Sequence, residues 1–483
     1  MDSIIFKSDS YKFTHSPQYP PGTTKVVSYL ESRGGMFDNT VFYGLQYILK
    51  KHFEGIVVTE ADVIKAKSII DRHIGPNIFN YDGWMRIVKV HGGRIPVSIK
   101  AVPEGTVVGT SNVLLTIENT DDKLPWVTNF CESVLLQVWY PITVSTLSRE
   151  IKKNFIKYLK KTTDYNHDKI LEIITFMLND FGYRGASSDE SSSIGGSAHL
   201  VNFSGTDNIR ALNLIEQYYN TSEMVGFSIP ASEHSTITSW GEENEAKAYE
   251  NMLDAYPNGP RACVSDSYNI LNACEKIWGT DLRDKVLNLN GRLVIRPDSG
   301  DPIQTLKRIF NILWDKFGGH INSKGFKVLD DHVRVIQGDG VNYESIVDIM
   351  DMMVSEKFSV ENIVFGMGGA LLQKVDRDTQ KFAIKCCSIV IDGIERDIQK
   401  HPLELDKDGN LIKSFKTSKV GNLKLVLQKN GLYKTIQQTK EYNDDILVEV
   451  FKNGHILKEY TFEDVRKNAE IKEKKVYETT ESV

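Results

Sequence analysis

Short apolar runs that each break into a small polar loop recur through the middle of the chain. In order they are "ITFMLNDFGYRGASS", "AHLVNFSGTD", "MVGFSIPASEHS", "RACVSDSY", "RLVIRPDSG", "VRVIQGDG" and "NIVFGMGGA". Stretches with helical spacing, such as "NEAKAYENMLDAY" and "YESIVDIMDMMVSEKF", separate several of them. Seven strand-to-loop units, several followed by a helix, predict an α/β barrel with its functional groups at the C-terminal strand ends. A doubly wound open sheet is the alternative.

Both flanks read as β-rich. "TKVVSYLES" is a strand, and "VSIKAVPEGTVVGTSNVLLTIENT" alternates around turn residues like an antiparallel hairpin. "WVTNFCESVLLQVWY" has helical spacing that should end before Pro141, and "TLSREIKKNFIKYLKKT" is a second, amphipathic helix. After "AIKCCSIVIDG", hairpins return with Asn-Gly turns at 430–431 and 453–454. The expected division is 1–174, 175–385 for the barrel and 386–483, with the two outer parts packing as one β-rich domain. The charged stretch from Arg466 to Val483 should fray.

Composition adds exclusions. At 483 residues, 41% hydrophobic and 25% charged, the chain is ordinary for a soluble protein with a large core. A formal charge of −6 argues against a broad nucleic-acid face, so anionic substrates need local cations. Five cysteines without CxxC spacing fit reduced thiols, hence a cytoplasmic protein without a disulfide framework or zinc site. The N-terminus lacks a signal-peptide pattern, and no apolar run approaches 18 residues.

Chemistry gathers in the loops. "PASEHSTITSWG" sets His234 beside Glu233, where it is either a structural histidine or a reactive one. "FGMGGA", with Gly368 and Gly369, is a tight turn or a phosphate cradle, and Gly338, Asp339 and Gly340 add to it. Arg296 and Asp298 in "VIRPDSG" are an ion pair or a phosphate clamp with a carboxylate for Mg²⁺ or ribose hydroxyls. Asp266 and Asp207 add strand-end carboxylates. "DFGYRG" offers Phe181 and Arg184, which suit a flat ring carrying a carbonyl, or else simply core and surface. Neither a P-loop nor the rest of a kinase signature accompanies them, and "VLDDHV" lacks the loop that would make it a type I phosphoribosyltransferase motif.

Taken together, "SDSYKFTHSPQYPPGTTKV", "VFYGLQYIL", "WYPITVSTLSRE", "DFGYRGASS", "PASEHSTITSWG", "VSDSYNILNACEKIWG", "IRPDSGDP" and "ENIVFGMGGALLQK" resemble the nicotinamide phosphoribosyltransferases. The resemblance runs in order from residue 8 to about residue 470. It implies a type II phosphoribosyltransferase fold: an irregular α/β barrel with a second β-rich domain, paired as a homodimer with shared sites. Nicotinamide and phosphoribosyl pyrophosphate would give nicotinamide mononucleotide and pyrophosphate, with Mg²⁺ and with ATP as co-substrate.

By the same resemblance His234 would accept the ATP phosphoryl group, with Glu233 or Asp266 orienting it. Phe181 and a partner's Tyr11 would sandwich the pyridine, Arg184 would meet the amide oxygen or the product phosphate, and Asp207 would accept from the amide NH₂. Arg296, Asp298, Gly338, Asp339, Gly368 and Gly369 would hold ribose and 5′-phosphate. Arg33, Arg377, Lys385 and Lys400 would surround pyrophosphate. Three departures stand out: Asn179 where the family has His, Met367 and Ala370 in the phosphate loop, and a short segment between Arg33 and Val41. The competing enzymatic reading is nicotinate phosphoribosyltransferase, which a carboxylate at Asp207 disfavours. A silent binding protein and a metal hydrolase are the rivals from outside the transferases.

Overall fold

The apolar runs from residue 178 onward pair as one parallel sheet in the computed structural model, which describes residues 3–221, 223–400, 402–405, 407, 409–413, 417–437 and 444–471. Its strands are β1 (Leu178–Asp180), β2 (Gly205–Thr206), β3 (Asn258–Val264), β4 (Asn290–Arg296), β5 (Val333–Gln337) and β6 (Ile363–Met367). They lie in the order β2-β1-β6-β5-β4-β3. Residues 227–231 then make single parallel bridges to both edges, Phe227 to Gly205 and Ala231 to Ala262. The curled sheet is thereby linked round into the irregular barrel, and all seven loops follow its strands or this segment.

Helices cover the strands, including Asp189–Leu200, Ile209–Tyr218, Glu245–Ala255, Pro302–Phe317 and Tyr343–Ser355. Inside, Ala262, Val294 and Ile336 form a buried layer against which Phe181, Ile229 and Val364 pack. One residue from each of several neighbouring strands fills the lumen, as a closed parallel barrel requires.

Three expectations about elements need correction. "AHLV" is the end of a helix and the turn after it, so β2 is only two residues long; Ser188 caps that helix with a capping box. "MVGFSI" is not a buried strand: Met224 and Phe227 are exposed, and the segment holds on by its two bridges. Pro141 does not end a helix but lies in the first turn of Trp139–Thr162, where a missing N–H costs nothing.

The barrel belongs to a unit of Gly35–Phe37 and Trp139–Gln380; Met1–Gly34, Asp38–Val138 and Lys381–Val483 form a second unit. The latter is built on a seven-stranded antiparallel sheet that mixes both ends of the chain: Thr23–Ser32 lies between Val113–Asn119 and Phe382–Ile391, and Val448–Lys452 pairs with Val97–Ala101. The Asn453-Gly454 turn has positive φ at both residues, as such a hairpin demands. Arg466 to Ala469 are helical under a Thr461 cap rather than frayed; residues 472–483 of the expected tail lie outside the described residues. None of the five cysteines is in a disulfide, and no helix among the described residues is long and apolar enough to cross a membrane.

One core position works against stability. Arg261 on β3 is fully buried, and none of its three guanidinium nitrogens has a hydrogen-bond partner. A buried unpaired cation is replaced favourably by an apolar side chain of similar reach. Arg261→Met is expected to stabilise the protein, on the order of 1 kcal/mol or more. A urea-unfolding midpoint that falls instead would overturn this.

Candidate active site

Two strand ends converge on His234, the first residue of the short helix His234–Thr238. Its Nε2 lies 3.1 Å from Asp266 Oδ1, just past β3, and its Nδ1 4.0 Å from Asp298 Oδ2, just past β4. The other Asp266 oxygen accepts from the Asp298 amide at 3.0 Å and the Ser299 hydroxyl at 2.6 Å. Surrounded by donors, Asp266 acts as an acceptor, so a neutral imidazole bonded to it carries its proton on Nε2 and keeps the Nδ1 lone pair. Arg296 forks onto Asp298, with Nε to Oδ1 at 3.3 Å and Nη2 to Oδ2 at 2.9 Å. Of the two carboxylates expected to orient His234, Asp266 bonds it, whereas Glu233 accepts from the Ser235 hydroxyl.

The aromatic subsite adjoins this cluster. Phe181 follows β1, and a Cβ on Gly366 would fall 2.0 Å from its Cε2, so only glycine leaves room for the ring. A Cβ on Gly338 would lie 3.5 Å from the same ring and 3.7 Å from Arg296 Nε. Ring and guanidinium therefore flank one glycine. Asp207, exposed just beyond β2, accepts from the Ser228 hydroxyl, and its amide donates to the Asp180 carbonyl at 3.0 Å. Arg184 is exposed in the turn Tyr183–Gly185.

The glycine loops sit at neighbouring strand ends. Gly338 and Asp339 follow β5, with Gly340 at φ 66°, and the exposed Asp339 accepts through its carbonyl from Gln337. Gly368 and Gly369 follow β6 so close to the "DFGYRG" loop that a Cβ on Gly185 would lie 3.2 Å from the Gly369 backbone. Met367 is buried, so it does not make the loop face less polar; Ala370 is half-buried. Asn179 donates to the Phe176 and Phe365 carbonyls at 3.2 and 3.1 Å, a non-titrating clip between β1 and β6. The short segment after Arg33 lies along residues 379–380, with Met36 N–H on the Thr379 carbonyl at 2.9 Å. Arg377 is exposed and faces Asp378 at 3.4 Å.

Tyr11, Arg33, Lys385 and Lys400 belong to the other unit. Tyr11 and Lys385 line one open pocket of about 430 Å³ together with Lys12, His15, Gln18 and Glu132. Burial lowers the pKa of Lys385; the Glu132 charge opposes this, while those of Arg33, Lys400 and Lys12 add to it. Three of the four expected pyrophosphate cations, Arg33, Lys385 and Lys400, thus lie within electrostatic reach of one another, and Lys12 beside them is paired with Glu132 at 2.5 Å. Arg33 is held by buried Glu31 at 3.0 Å, which Lys419 also contacts at 2.5 Å.

Sequence reasoning passed over Gly366, Lys12 and, above all, Asp180. The Asp180 carboxylate is wholly buried at the end of β1. Burial pushes its pKa up to about 6 and the Asp207 charge adds to this, while hydrogen bonds from Gly182 and Asn208 pull the other way. An acidic residue closing an apolar strand was the available signal.

Comparison with known proteins shows the family. Residues 176–453 match the Nicotinate phosphoribosyltransferase (NAPRTase) family and residues 3–99 the N-terminal domain of nicotinamide phosphoribosyltransferase. The nicotinamide phosphoribosyltransferase of Xanthomonas campestris pv. campestris (strain 8004) is 46% identical over 478 residues, spanning 97% of this chain and 98% of its own. That of Mycoplasma pneumoniae is 30% identical, over 83% of this chain and 92% of its own. Among solved structures, nicotinate-nucleotide pyrophosphorylase from Pyrococcus furiosus superposes with a TM-score of 0.59 at 15% identity, covering 96% of this chain and 94% of that one. Human nicotinic acid phosphoribosyltransferase gives 0.51 at 14% identity, covering 96% and 93%. At such identities these structures speak for the fold alone.

Proposed function

The chain belongs to the nicotinamide phosphoribosyltransferase family, and from that membership we propose that it transfers the phosphoribosyl group of phosphoribosyl pyrophosphate to nicotinamide. The products are nicotinamide mononucleotide and pyrophosphate, a salvage step toward NAD. The observation that carries the reading is Gly338, whose position touches both the Phe181 ring and Arg296. A flat base stacked on Phe181 would then have its ring nitrogen near a ribose held beside the Arg296–Asp298 pair. The pyridine nitrogen attacks with a lone pair that is already free, so no base is required. Positive charge grows on the ribose carbon and negative charge on the departing pyrophosphate, which cations stabilise.

Among the described residues no group of three or more His, Cys, Asp or Glu side chains is arranged so that it could hold a metal ion by itself. Mg²⁺, as the resemblance implies, would enter on substrate phosphates with one or two carboxylates, Asp298 being the candidate, and would offset charge on the leaving group. ATP is the proposed co-substrate, with His234 as phosphoryl acceptor; the Asp266 contact supports that role. Five thiols outside any disulfide favour a reducing, cytoplasmic setting.

A coupled assay offering nicotinamide and nicotinate in turn tests the reaction. Mononucleotide should form from the amide with clear preference; preference for the acid would install nicotinate phosphoribosyltransferase instead.

The proposed homodimer shares its sites, with Tyr11 of one subunit completing the base subsite of the other. Mixing Tyr11→Ala with Asp207→Ala protein should then restore activity. Half the dimers are mixed and each holds one intact site, so about a quarter of all sites recover under two-fold symmetry. Mixed dimers confirmed by mass but showing no recovery would refute sharing.

A further inference from the structure

Asp180 touches neither the strand-end histidine cluster nor the solvent, yet both base-binding loops hang from it. Its Oδ1 accepts from the Gly182 amide at 2.7 Å, in the turn that carries Phe181 and Arg184. Its Oδ2 accepts from Asn208 Nδ2 at 3.0 Å, and Asn208 is the residue after Asp207. The same Asn208 group donates to the Ser192 carbonyl at 2.9 Å, so it is anchored on the covering helix as well. The Asp180 main chain completes the tie by accepting from the Asp207 amide at 3.0 Å. Space is kept for this carboxylate: a Cβ on Gly196 would lie 2.7 Å from Oδ2.

A buried carboxylate with only these side-chain partners is expensive, and a neutral or apolar residue would serve a merely structural strand end better. We propose that Asp180 is a positioning residue of the pyridine subsite, whose two oxygens fix the spacing between the Phe181 ring and the Asp207 carboxylate. This rests on the phosphoribosyl-transfer reading above. Its consequence is selective. Binding of the base depends on Asp180, while binding of phosphoribosyl pyrophosphate and the chemical step do not.

Asp180→Asn tests this, because an amide offers one acceptor to two donors and turns its NH₂ against either Gly182 or Asn208. In the purified full-length variant, KM for nicotinamide should rise at least about tenfold. KM for phosphoribosyl pyrophosphate and kcat should stay within about twofold of wild type, and the preference for amide over acid should narrow. Asn208→Ala should raise the same KM, and the double variant should fall well short of the product of the two single effects. If Asp180→Asn does not fold, Asn208→Ala alone decides. A nicotinamide KM that stays put while kcat falls indicates a smaller active fraction and refutes the positioning role. Wild-type protein that transfers nothing to nicotinamide brings down the functional reading itself, and this inference with it.

Discussion

His234→Ala is expected to stop ATP hydrolysis and to leave a slow, ATP-independent synthesis of the mononucleotide. The expectation follows from which nitrogen is free. Nε2 faces Asp266 Oδ1 at 3.1 Å, and that carboxylate also accepts from the Asp298 amide and the Ser299 hydroxyl. Held this way, a neutral imidazole presents the Nδ1 lone pair, and at the first residue of a five-residue helix its side chain is 44% exposed. In the proposed reaction, attack of Nδ1 on the γ-phosphorus would form a P–N bond as ADP leaves, and water would later cleave that bond and release phosphate. Alanine removes the nucleophile, so hydrolysis by this route has no residual path. The base and ribose subsites are untouched, hence the surviving transfer. Steady-state ATP hydrolysis and phosphate incorporation into the protein are the measurements. Hydrolysis at the wild-type rate in the variant would sink the assignment.

What the residue order revealed, and what it hid, follows from how far each interaction reaches. Five of the seven polar loops were visible because a strand buried on both faces must be apolar and its end polar; the other two follow apolar runs that are not buried strands. The two-residue length of β2 was not: Gly195 and Gly196 sit mid-helix for contacts with Tyr140 and Asn208, and such packing leaves no periodic mark. His234, Asp266, Asp298 and Arg296 were legible as strand-end residues. Which carboxylate bonds the imidazole was not, since Glu233 is adjacent in the chain and Asp266 comes from another strand. Gly366 reads as part of a phosphate-like glycine run, but its function is clearance for Phe181. The pocket of Tyr11 and Lys385 joins the two ends of the chain, which only the antiparallel sheet brings together.

Asp207→Asn is expected to collapse the discrimination between nicotinamide and nicotinate. In the proposed base subsite, wild-type Asp207 would offer acceptor oxygens, a match for the amide NH₂ and a repulsion for an acid. Its Oδ1 is already engaged by the Ser228 hydroxyl, which biases how asparagine can sit. If the amide carbonyl retains that bond, the NH₂ takes the place of Oδ2, the oxygen proposed to meet the base. A donor then meets the donor of nicotinamide, and the same donor suits the nicotinate carboxylate. Losing one well-made bond and gaining an unsatisfied group costs roughly 1–3 kcal/mol, so kcat/KM for nicotinamide should fall by about one to two orders of magnitude. Nicotinate turnover should rise in the same variant, because the repelling charge is gone. The side chain keeps its size, and the Asp207 amide bond to the Asp180 carbonyl is made by the main chain, so the loop itself is preserved. Measuring kcat/KM for both bases on wild type and variant decides the matter: an unchanged ratio would mean that Asp207 does not contact the base.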